Sequence, residues 1–383
     1  MALSNLELDR LRKNSVDNTS SAVISLMFGS SRERESRHCL APPLEKINNS
    51  QRSMDLPHHN TYFNTLPYLA GDQIGFGGFD LRVGKLISWC DVVIPKVTMQ
   101  DLLDMDHKVL QEGEKFIFEP SPRGEKVYYV TSFESISYSD NLEILVDSKS
   151  TTGRVGAMTH RGGMTSSGKE LIKIVQPFSF YMEVECGKTR LSQAVVRYKG
   201  TPYMSNQEII ASGDVSIEGS DSSLEKFLNS RGFLLNFDTA KSIYKSKRCD
   251  KPINMDAKGE IDWRDYFEII EGSSKIRLEK ETLYLLGSTN KLNLGGVTGF
   301  LSREDDVMTG TGAWGHFAGF FQPYFSGQIT LEFYSFSNMR LSHGDDAGVV
   351  IFDKLDGEVN KEAHTGFYQG QSAPRLPKMF KID

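Results

Sequence analysis

SGKELIKIVQPFSFYMEVECG at 167–187 and FSGQITLEFYSFSNMRLSHG at 325–344 follow one plan. Each runs from a Ser-Gly turn through a strand, a bend containing Ser-Phe, a second strand and a Gly turn. Strand side chains alternate with period two, so Ile329, Leu331 and Phe333 share one face of the later copy. Gln328, Thr330, Glu332 and Tyr334 share the other. A second match lies upstream of each: GEKVYYVTSFESISYSDNLEIL (124–145) and KIRLEKETLYLLGSTNKLNL (275–294). Both place a Glu-Lys pair before an aromatic strand and continue through a polar turn into another strand. The matches predict a duplicated all-β domain of about 150 residues.

The 383-residue chain has room for two such units. Residues 1–55, rich in Ser, Asn and Arg, read as a flexible N-terminal extension. A first domain is expected over 56–213 and a second over 214–383, with 214–262 as the junction. Short strands dominate from residue 56, separated by Gly, Asp, Asn and Pro. One short helix is expected within VTMQDLLDMDHKVLQEGE (97–114).

A formal charge of −6 argues against a surface that coats nucleic acid and against a basic membrane binder, but leaves room for a small anionic ligand. The four cysteines form no CxxC pair, so neither a disulfide framework nor structural zinc is expected. No apolar run approaches the ~20 residues of a membrane helix. MALSNLELDR carries acids where a signal peptide needs bases. The expectation is a soluble, reduced, cytoplasmic protein.

Several motifs fail on inspection. GMTSSGKE (163–170) nearly spells a phosphate-binding loop, but Glu170 replaces the required hydroxyl and LIKIV reads as a strand. GFGGFD (75–80) opens no helix, so it is no dinucleotide fingerprint. The dispersed histidines form no HExxH, nor the H-x-E with PCxxC of zinc deaminases. His316, Trp314 and Phe317 read as packed residues. SKSTTGRVG (148–156) suits either a polar surface turn or a tight loop offering hydroxyls and a guanidinium to phosphate. FYQGQSAPRLPKMFKID is locally basic, and reads as a frayed end or as an arm closing over an anion. Alternation alone leaves Glu332 facing either water or a pocket.

Taken in order, DQIGFGGFDLRVG (72–84), SKSTTGRVG (148–156), KPINMDAKGEIDWRDYFE (251–268), HFAGFFQPYFSGQITLEF (316–333) and YQGQSAPRLPKMF (368–380) resemble the dCTP deaminase branch of the dUTPase-like superfamily, in its longer two-domain form. The resemblance spans roughly residues 67–380. It implies a mainly β fold of duplicated dUTPase-like, distorted jelly-roll (β-clip) domains, with composite sites. It implies hydrolytic deamination of dCTP without zinc, Mg2+ being held mainly by the substrate phosphates and not by a protein metal site. Some relatives also remove pyrophosphate from dUTP, for which Asp80 is the candidate in the first repeat.

By the same resemblance, Glu332 is the general base. Ser150 positions water or phosphate, Arg154 stabilises developing charge, and the Ala318 backbone orients the water. Lys149, Thr151, Gln322, Tyr368, Gln371 and Lys378 are the implied substrate contacts. Phe320 and Gln322 stand where single-domain members usually carry Arg and Asp. A homo-oligomer, with a trimer as one form, is implied, as are dUTP or dTTP as further ligands. The repeats themselves are asymmetric: Ile174 aligns with Glu332, and STTGR has no counterpart in the second repeat. One composite site per chain is therefore expected.

Overall fold

The computed structural model describes residues 2–3, 63–67, 69–75, 77–164, 169–218, 223–302, 313–315, 318–356 and 367–381. His316, Phe317 and the Trp314 side chain lie outside the described residues. So do most of the 1–55 extension and the part of the second repeat that would face SKSTTGRVG.

Both halves build the same central antiparallel strand pair. Val127–Tyr138 pairs antiparallel with Lys169–Pro177, and Thr282–Leu294 with Ser326–Ser335. Each ladder slips once, between Thr131 and Ser135 in one half and between Gly287 and Lys291 in the other. Such a bulge deprives backbone groups of ladder partners, and here a serine supplies them. Ser132 Oγ donates to the Glu134 carbonyl at 2.6 Å and accepts the Leu171 amide at 2.8 Å. Ser288 Oγ repeats this with the Asn290 carbonyl at 2.6 Å and the Ile329 amide at 3.0 Å. Tyr128 and Tyr284 also match, their hydroxyls accepting the amides of Glu119 and Glu279. With these landmarks superposed, the register Tyr129↔Ile174 corresponds to Leu285↔Glu332. Ile174 is thus the positional counterpart of Glu332.

Flanking strands extend each pair into a curled sheet. In the first half Phe79–Cys90 and Leu142–Ser148 both pair with Arg190–Tyr198. In the second, Gly232–Asp238 and Val297–Leu301 both pair with Asp346–Asp356. The helix within 97–114 is Met99–Asp104, started by a capping box in which Thr98 and Asp101 exchange hydrogen bonds. No described helix is long and apolar enough to cross a membrane.

The largest apolar cluster belongs to both halves. It joins Val130, Phe178 and Phe180 to Leu283, Leu285 and Tyr334, and then to Leu376, Met379 and Phe380 near the C-terminus. Each such side chain contributes about 1.5–3 kcal/mol on leaving water. Backbone links run the same way. Ile253–Asn254 pairs parallel with Met182–Glu183, and Ile261 bridges Phe380. Ala2–Leu3 pairs with Arg197 of one sheet and with Leu355–Asp356 of the other. A second cluster, including Phe237, Leu286, Ile329, Leu331 and Phe333, fills the second half.

The apolar face of Ser326–Ser335 therefore lies where its alternation places it. Its polar face is enclosed as well: Gln328, Thr330, Glu332 and Tyr334 are all buried. The first half covers that face, and Tyr334 Oη donates to the Pro122 carbonyl at 2.9 Å.

Candidate active site

A cavity of about 460 Å³ opens between the halves. The first half contributes Asp80, Lys149, Ser150, Thr151 and Arg154; the second contributes Ala318, Gln322, Thr330 and Glu332, and residues 367–378 cross over it. All ten residues implied at sequence level line this one space. Asp80, raised for the diphosphatase alternative, lines it too.

SKSTTGRVG folds as a single helical turn, Ser150–Gly153, between two strands. Thr151, Thr152 and Gly153 are buried, so the turn is a wall of the site and not a surface loop. Gly156 ends it with φ +72°, in the region favouring glycine, and a Cβ there would lie 2.3 Å from Ser179 Oγ. This sharp exit sets Arg154 across the boundary between the halves. Its Nε donates to the Arg375 carbonyl at 3.0 Å and its Nη1 to the Ser150 carbonyl at 3.1 Å. The Tyr368 ring covers the guanidinium at 3.8 Å, and Tyr368 Oη hydrogen-bonds Thr151 Oγ1 at 3.0 Å.

Glu332 faces that guanidinium from the neighbouring sheet. The Arg154 Nη1–Glu332 Oε1 separation is 3.6 Å, long for a direct hydrogen bond, so the carboxyl keeps capacity for another partner. Glu332 is only 2% exposed. Burial pushes its pKa up to about 7, against the opposing pull of Arg154 and of the Ala318 backbone amide. At neutral pH such a carboxyl can both take and return a proton.

The cationic end of the cavity lies opposite. Lys149 pairs with Asp80, while Arg190 holds Asp72 at 2.6 Å and approaches Asp80 at 3.8 Å. Burial, reinforced by Lys149, lowers the pKa of Lys378. An anion here would relieve that repulsion.

Near its C-terminus the chain is firmly seated. Gln371 donates to the Gln328 carbonyl, and its own carbonyl accepts the Gln328 amide at 2.7 Å. The Arg375 amide donates to Thr330 Oγ1 at 3.1 Å. Leu376, Met379 and Phe380 anchor the segment in the shared core, so the described part is packed structure. The reading of this stretch as a frayed end followed its basic residues and overlooked the apolar ones between them; the segment crosses the cavity instead. Thr330 and Arg375 also escaped sequence reading, because their roles arise from contacts between distant segments.

Among the described residues no three His, Cys, Asp or Glu side chains converge as a metal site would require, and Cys90, Cys186 and Cys249 are free thiols.

No protein-family model matches the sequence, and no curated protein matches it. The chain is similar to the crystal structure of 2′-deoxycytidine 5′-triphosphate deaminase from Agrobacterium tumefaciens, at 20% identity and a TM-score of 0.67. The similarity covers 78% of this chain and 92% of that one. Such a share exceeds either half, so it spans the duplicated frame. The fold is mainly β and dUTPase-like.

Proposed function

We propose that this protein hydrolyses dCTP to dUTP and ammonia, with Glu332 carrying the proton. The observation behind this reading is the buried Glu332 carboxyl, its pKa pushed up to about 7, facing Arg154 in the cavity between the halves. In the proposed step Glu332 takes a proton from water as the oxygen bonds to C4 of cytosine. It returns that proton to ring N3; the C4 hydroxyl proton then passes to the amino group, and the C4–N bond breaks to release ammonia and leave the C4 carbonyl. Arg154, held by two carbonyls and an aromatic ring, stabilises the negative charge that develops. Ser150 and the Ala318 backbone orient the water. Lys149, Thr151 and Lys378 receive the triphosphate, while Gln322, Tyr368 and Gln371 enclose the nucleoside.

Magnesium would arrive with the triphosphate, whose charge it would partly neutralise. Asp80 is engaged by Lys149, and no described acidic cluster is available to hold the ion. No step is assigned to a protein-bound metal, since in this reading Glu332 activates the water. A homo-oligomer, a trimer among the forms to test by light scattering, and a cytoplasmic setting belong to the same proposal. So does regulation by dTTP.

The decisive assay measures ammonia and pyrophosphate from dCTP and dUTP with Mg2+. Ammonia from dCTP, lost in Glu332→Gln with dCTP binding retained, supports the reading; full turnover in that variant removes Glu332 from the role. Asp80 on the same wall favours a second reading, dUTP diphosphatase alone or coupled, which pyrophosphate release would identify. Binding without either product would mark a catalytically silent nucleotide-binding module.

A further inference from the structure

A second carboxylate stands behind the Glu332 site. Asp147 lies near the end of strand Leu142–Ser148, is buried, and accepts the Ser148 amide through Oδ1 at 2.7 Å. Its other oxygen meets the second half. A Cβ built on Gly319 would stand 2.4 Å from Asp147 Oδ2 and 3.4 Å from its Cγ. Gly319 has no left-handed φ that would call for glycine, and a side chain there would have to displace this carboxylate.

Gly319 immediately follows Ala318, whose amide bonds the Glu332 carboxyl. On the other side, the Gly319 carbonyl accepts the Leu301 amide at 2.8 Å. The Ala318–Gly319 backbone is therefore gripped between Leu301 of its own half and Asp147 of the other.

We infer that Asp147 is a positioning residue for Glu332, seating against Gly319 so that the Ala318 amide stays aimed at the carboxyl. This role rests on reading Glu332 as the base. Charge acts in the same place. Asp147 joins burial in raising the proton affinity of Glu332, while Arg154 and the Ala318 amide lower it. Arg154 and Asp147 are the charged side chains that act most strongly on Glu332 among the described residues.

The test compares the full-length protein with Asp147→Asn, Gly319→Ala and Gly319→Ala/Asp147→Ala. Two readouts are taken: the pH profile of ammonia release, and the Glu332 carboxyl titration without ligand, read as the infrared difference against Glu332→Gln. In Asp147→Asn, kcat should fall about tenfold with little change in KM, and both the acidic limb and the carboxyl midpoint should move down by about half a unit or more. Gly319→Ala should lose at least as much, and removing the Asp147 carboxylate beside it should restore part of the loss.

A folded Asp147→Asn with unmoved limb and midpoint would overturn the inference. So would Gly319→Ala with unchanged kinetics, or a double variant no better than Gly319→Ala. If Asp147→Asn does not fold, the two Gly319 variants decide. If the wild type releases no ammonia, the deaminase reading fails, while the carboxyl midpoint still judges the effect of Asp147 on Glu332.

Discussion

Ile174 and Glu332 occupy the same register of equivalent strand pairs, one in each half. Around Ile174 the first half uses its buried charges to hold the fold. Glu134 accepts Gln73 Nε2 at 2.8 Å, the Arg82 amide at 3.1 Å and Arg82 Nε at 2.7 Å. Lys173, beside Ile174 in the chain, donates to the Arg82 carbonyl at 2.9 Å, and burial lowers its pKa to about 8. In the second half Leu331 takes the place of Lys173, and the charge moves one position on, to Glu332. There a single guanidinium approaches, at 3.6 Å, from the other half. The Glu134 carboxyl is thus filled by three hydrogen bonds from its own half, while Glu332 meets a guanidinium of the other half at a distance too long for a direct hydrogen bond.

The largest effect expected from breaking this contrast belongs to Glu332→Gln. Ammonia release should fall by at least about 10³-fold while dCTP binding, measured by calorimetry, persists. The same variant should be more stable than the wild type above neutral pH. The folded pKa of Glu332 is raised from 4.5 to about 7, so the wild type loses stability as pH climbs through that interval. The gain on substitution should be on the order of 1–3 kcal/mol at pH 8 and vanish below about pH 4.5, as thermal melts would show. The wild-type rate should rise with pH along an acidic limb centred near pH 7, because the base must be ionised.

Arg154→Lys sharpens the contrast from the opposite side. A lysine cannot keep two carbonyl contacts and the ring stack together, so kcat should drop about 10²–10³-fold with a smaller change in KM. Ile174→Glu asks whether the register alone makes a site. Position 174 is 2% exposed, and no contact comparable to Arg154 is seen there among the described residues. The substitution should cost about 3–5 kcal/mol in denaturant unfolding and add no turnover per chain. Tyr368→Phe is the mildest change. Losing the Thr151 hydrogen bond should cost about 1 kcal/mol, seen as a few-fold rise in KM for dCTP.

The strand texture and the Ile174–Glu332 correspondence were legible in the sequence, because alternation and turn chemistry are local. Burial of both faces of Ser326–Ser335 was not. Its polar alternation is that of a solvent-facing strand, and only the other half shows that the polar face lines a cavity. The same limit applies to Asp147, whose neighbour Gly319 is far away in the chain. The segment 368–380 read as basic because Arg375 and Lys378 dominate its charge. Leu376, Met379 and Phe380 among them fix where it lies.

That last anchor has a consequence in time. As the chain is synthesised, the Glu332 strand emerges well before residues 376–380. Until those follow, the shared core lacks three of its apolar members, and neither Tyr368 nor the Arg375 carbonyl is fixed against Arg154. The raised proton affinity of Glu332 depends on that enclosure. A partly made chain would therefore lack part of the enclosure around Glu332, and the proposed site would be complete only when the fold closes.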